Sequence, residues 1–103
     1  MSLPQRLDAY PDCLEVFDRA LNGPTRVEFE TQKEASMFQL RMCTARALHR
    51  DETKRIYPER TDPRHGRSPY DKLVVRRPVA DETDHWWVYV ESHGQNILSI
   101  EAA

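Results

Sequence analysis

The chain has 103 residues, 39% of them hydrophobic and 31% charged, with a formal net charge of −2. That is enough for one domain with a single core, and too apolar for a disordered chain. No apolar run approaches the roughly 18 residues a membrane span needs, and the first residues lack the charged-then-apolar pattern of a signal peptide. A soluble cytoplasmic protein is therefore expected.

Charge is unevenly placed. Residues 1–30 carry a balance of −3, residues 31–78 a balance of +6 and residues 79–103 a balance of −5. A basic centre between acidic ends points to an electrostatically selected partner.

The spacing predicts a helix over 11–22. Pro11 suits a first turn, and Leu14, Phe17 and Leu21 recur at helical intervals beside Cys13, Val16 and Ala20. Asn22-Gly23-Pro24 ends it, with Gly23 expected in the left-handed region. Residues 25–30 alternate, Val27 and Phe29 on one face, so a short strand follows. Thr31 and Glu34 fit a capping box, and a second helix is expected from there to about Arg50. Ala35, Phe38, Met42 and Ala45 form one apolar stripe of that helix. Met37, Leu40, Ala47 and Leu48 form another, nearly opposite. Ser36, Gln39, Arg46 and Arg50 are assigned to an exposed strip between them. A helix apolar on two sides is packed on two sides, by the first helix or by a second copy of the protein, so a homodimer is one expectation.

Residues 51–70 have three prolines and no sustained periodicity, and read as a long basic loop. Three strands are expected after it, at 72–78, 85–91 and 96–101, with tight turns at 81–84 and 92–95. The fold class is α+β: two helices on a mainly antiparallel sheet of about four strands.

The best candidate site is an aromatic and basic sheet face. Trp87 and Tyr89 share one face of their strand, and Arg76 on the neighbouring strand would make it a stacking platform for nucleic-acid bases. Trp86, with Val88 and Val90, is assigned to the core. The second candidate is the basic centre: Arg46 and Arg50 on the helix, then Lys54, Arg55, Arg60, Arg64 and Arg67 in the loop, a cluster suited to phosphates and diluted by Asp51, Glu52, Glu59 and Asp62. The first function expected is thus a non-enzymatic nucleic-acid-binding or nucleic-acid-associated accessory protein. The alternative is a protein-binding regulator or inhibitor that docks on a partner enzyme, and in general appearance the chain is like many short phage and plasmid proteins.

Catalysis finds little footing. His49, His65, His85 and His93 show no metal-ligand spacing, and no glycine-rich phosphate loop is present. Cys43 and His49 lie on opposite sides of one helix, too far apart for a nucleophile pair. No metal or cofactor is expected. Cys13 and Cys43 both read as buried free thiols.

Overall fold

The computed structural model of the protein describes residues 3–92. A 3-10 turn at Leu7–Ala9 leads into helix α1, Pro11–Asn22, then strand β1, Thr25–Phe29, and the long helix α2, Gln32–Ile56. A second 3-10 turn, Pro69–Lys72, precedes the strands β2, Leu73–Val75, β3, Val79–Ala80, and β4, Trp86–Ser92. This is the expected α+β fold. The strand expected at 96–101 and most of the turn before it lie outside the described residues.

Strand β4 is the axis of the sheet. It pairs antiparallel with β1 along one edge, Thr25 opposite Val90 and Phe29 opposite Trp86. Along its other edge it pairs antiparallel with β2, through Leu73 opposite Ser92, and with β3, through Val79 opposite Trp87. Side chains alternate across a strand. One sheet face therefore carries Val27, Phe29, Leu73, Val75, Trp86, Val88 and Val90, and both helices pack against it. Tyr10, Cys13, Phe17 and Ala20 from the α1 side meet Ala35, Phe38, Met42 and Ala45 of α2 over this face. The other face carries Arg26, Glu28, Val74, Trp87, Tyr89 and Glu91.

Four sequence readings need correction. Helix α2 continues through residues 51–56, which were expected in the loop. Ion pairs Asp51–Lys54 and Glu52–Arg55 lie three residues apart on it, and its end is set by Pro58, which disfavours helical backbone at Tyr57. The irregular segment is thereby cut to about a dozen residues and is pinned at its end. Tyr70 is buried, its ring stacked on Phe17 at 4.8 Å with its hydroxyl donating to Asp18 at 2.6 Å. Burial, then that bond, pushes the Tyr70 hydroxyl up to about 12.

Gly23 is extended, with φ 164, and needs no glycine for its backbone angles. The left-handed glycine is Gly66, at φ 68, where a Cβ would meet the Lys54 side chain at 3.1 Å. Cys13 is buried, and burial pushes its thiol up to about 12, but Cys43 is exposed. Thr31 does cap α2, accepting from Glu34 N–H at 3.2 Å, while its hydroxyl donates to the Glu34 carboxylate at 3.0 Å. The reciprocal capping box forms at Ser68 and Asp71 instead.

Candidate functional site

The outer sheet face brings the aromatic candidates together. Arg26 stands opposite Tyr89 on β1, and the N–H of Arg76 donates to the Tyr89 carbonyl at 2.9 Å from the other side. Tyr89 therefore lies between two arginines. Trp87 stands one pair along, between Glu28 and Val79. No helix among the described residues covers them, and Trp87 and Tyr89 are half-buried.

Trp87 and Arg76 are nonetheless already occupied. The Arg26 guanidinium lies over the Trp87 ring at 4.2 Å from its centroid, where a base would have to stack. The indole Nε1–H donates to Asp81 Oδ2 at 2.6 Å. Arg76 is ion-paired with Glu91. Of the acids on this face, Glu91 pairs with Arg76, Glu28 bonds His85 and Asp81 bonds the Trp87 indole, so the basic side chains stand among carboxylates.

The basic centre divides in the same way. Arg46 was expected on an exposed strip. It turns inward instead, donating from Nη1 to the carbonyls of Leu73 at 2.7 Å and Tyr70 at 3.2 Å. Arg50 donates to Asp71 Oδ1 at 2.5 Å. These two arginines fasten the loop's end and the start of β2 to α2. Lys54 and Arg55 are helical and face Asp51 and Glu52. Arg64 is paired with Asp62 and lies over the Tyr57 ring at 3.9 Å. The Arg64 guanidinium holds the Asp62 carboxyl down at about 2. Of the loop arginines, Arg60 and Arg67 make no ion pair with another described residue, and both are exposed. A basic count along the sequence passes over these acids, which become partners three residues away on the helix, two away in the loop, or across the fold at Asp71.

The structure also assembles groups that the sequence reading passed over. Glu28 on β1, and Asp81 and His85 at the β3–β4 turn, bring one ligand atom each to within 4.8 Å of one another. Hydrogen bonds account for the cluster. His85 Nδ1 meets Glu28 Oε2 at 2.7 Å, and this carboxylate raises the His85 pKa. Asp81 Oδ1 accepts from Thr83 N–H at 2.8 Å and His85 N–H at 3.1 Å, closing the turn, and Oδ2 holds the indole. Those donors, the Trp87 indole first, keep the Asp81 carboxyl well below the usual carboxylate range. Asp84 takes a positive φ of 61 in the same turn.

The second missed feature is an apolar groove of about 750 Å³ beside β1. Val16 of α1, Val27 and Phe29 of β1, and Met37 and Phe38 of α2 form its walls, with Lys33, Glu34 and the Asp12–Arg41 ion pair at its rim. It opens beside the outer edge of β1, which has no neighbouring strand among the described residues. The sequence signal was available in Met37, an apolar residue outside the core stripe, 46% exposed in the fold. Among the described residues no helix is long and apolar enough to cross a membrane. No family model, no curated protein and no solved structure matches this chain.

Proposed function

We propose that this protein is a non-enzymatic binding module that docks on a partner protein, taking an extended segment of that partner at the β1 edge. The observation that supports this is the apolar groove lying beside a strand edge that no other described strand pairs with. An added strand would pair with the β1 backbone groups that no described strand takes, and its alternate side chains would fall over Val16, Val27, Phe29 and Met37. Backbone pairing supplies affinity in such complexes and the groove supplies selectivity. The rim holds both signs of charge, so the preferred segment is apolar at alternate positions rather than strongly charged.

Selection from a random peptide library tests the reading. Selected peptides should alternate apolar and polar residues and shift the backbone amide signals of Thr25–Phe29. Val16→Glu should weaken them by roughly tenfold or more, since a carboxylate would be placed against apolar wall. Selected peptides that leave those amide signals unmoved, or no selection at all, would overturn it.

Nucleic acid is the second reading, favoured by four exposed cations that pair with no acid among the described residues, Arg60 and Arg67 on the loop and Lys72 and Arg77 around β2. It requires affinity for a mixed oligonucleotide that falls steeply with salt and drops alike for every sequence in an Arg60→Ala, Arg67→Ala variant. Absence of binding at low salt would sink it.

A further inference from the structure

Helix α2 carries a second seam, which meets the groove at Lys33 and Met37 and otherwise runs apart from it. Its buried residues Ala35, Phe38, Met42 and Ala45 face the sheet. Directly opposite, Met37, Leu40, Thr44 and Ala47 follow one another in alternating steps of three and four residues, with Lys33 four before and Asp51 four after. At about 100° per residue these six form one straight ridge pointing away from the core. Met37 is 46% and Leu40 52% exposed, and Ala47 is exposed as well. The three-four spacing is that of a coiled-coil seam. Leu48, assigned to this stripe by sequence, packs on the core instead.

We infer that this ridge is a self-association surface, and that its occupant is α2 of a second copy running antiparallel. The charges at the ends select the arrangement. An antiparallel two-fold centred on Met42 sets Met37 against Ala47 of the second copy and Leu40 against its Thr44, each contact occurring twice. The same register places Lys33 against Asp51 of the second copy at both ends. A parallel pair would set Lys33 against Lys33 and Asp51 against Asp51. Burying Thr44 leaves no orphan hydroxyl, because its Oγ1 already donates to the Leu40 carbonyl at 3.0 Å. On one flank Arg41 approaches its own mate, and each is neutralised by Asp12 within its own chain, at 2.6 and 3.0 Å. On the other flank the two exposed Cys43 side chains come near the axis. Small residues at Thr44 and Ala47 let the helices approach closely. With only four apolar layers the association is weak and concentration-dependent, at the low end of interface size.

Sedimentation equilibrium across the micromolar-to-millimolar range tests this. The wild type should pass from monomer to dimer. Leu40→Lys should weaken dimerisation by roughly tenfold or more while melting close to wild type, because the side chain it replaces is half-exposed. Lys33→Glu alone should weaken it, and Lys33→Glu combined with Asp51→Lys should restore it. A short bis-maleimide should link two wild-type chains through Cys43. A wild type that stays monomeric at the highest concentration overturns the inference, and so does a dimer indifferent to Leu40→Lys. Failure of the charge exchange to rescue overturns the antiparallel register. These readouts do not involve peptide binding at β1, so this inference and the proposed docking fail or stand separately.

Discussion

At the residue scale the two tryptophans divide the work of β4. Trp86 shares the inner face with Phe29, its cross-strand partner, and packs on the core beside the Phe29–Phe38 ring pair, whose centroids are 5.1 Å apart. Trp87 faces the other way and is held by Arg26 and Asp81. Trp86→Ala should cost about 3 kcal/mol, the lower end for a large aromatic, since Trp86 is only partly buried. Trp87→Ala should lower the melting temperature less, and Trp87→Phe should lose the Asp81 bond while keeping the arginine contact. Equal melting temperatures for Trp86→Ala and Trp87→Ala would contradict this division.

His85 provides a pH handle at the same scale. Glu28 raises its pKa from the ordinary 6.5, so the protonated ring is favoured in the folded state. The pair's contribution to stability is fully present below 6.5 and is lost as pH rises through the higher folded value. In Glu28→Gln, the midpoint of the His85 ring-proton shifts in an NMR titration should move back down towards the ordinary value. An unchanged midpoint would show that Glu28 does not set it.

At the element scale, α2 is the organising member. Its start is fixed by Thr31, and Thr31→Ala should cost about 1 kcal/mol in a denaturant titration. A loss of a few tenths or less would mean that packing alone fixes the start. The helix was legible in the sequence where apolar periodicity ran, from Ala35 to Leu48, and illegible in residues 51–56, whose buried residue is a threonine, Thr53, and whose charges pair three residues apart. Pro58, the first proline after the cap, was the stop signal that the reading to about Arg50 passed over. Strands at 25–30 and 85–91 were readable from alternation. The short β3 pairing was not, because two residues carry no periodicity. Tyr70 was hidden for a different reason: its burial depends on Phe17 and Asp18, more than fifty residues away.

The candidate site was half legible. Alternation placed Trp87 and Tyr89 on one face beside Arg76, and the structure keeps them there. The acids that quench that face, Glu28, Asp81 and Glu91, come from three segments and meet only through strand register.

At the scale of the whole molecule, two layers make a plate of 49 × 45 × 19 Å. Both helices lie on one side, and the outer sheet face is left to polar and aromatic residues. Pairing through the α2 ridge would convert the plate into a four-layer stack, sheet-helix-helix-sheet, with the β1 grooves of both copies at its margins.

The central position of β4 has a consequence for the order in which the protein is built. Every strand pairing described here runs through β4, and Thr25 meets Val90 only after sixty-five residues of chain have followed it. The only local pairing among the described strands is the two-residue β3–β4 hairpin, and β1 joins from far along the chain. Such non-local closure slows folding. On a ribosome, α1, β1 and α2 emerge first, with the apolar faces of both helices lacking their floor, and they wait in that condition until residue 92 is clear of the exit tunnel. The ribosome-bound chain is thus open to helix-face association before it is open to strand pairing. A stopped-flow refolding trace should show helix signal recovering ahead of tryptophan fluorescence, since Trp86 and Trp87 sit on the last strand to be placed. Simultaneous recovery would mean that the helices, too, wait for β4.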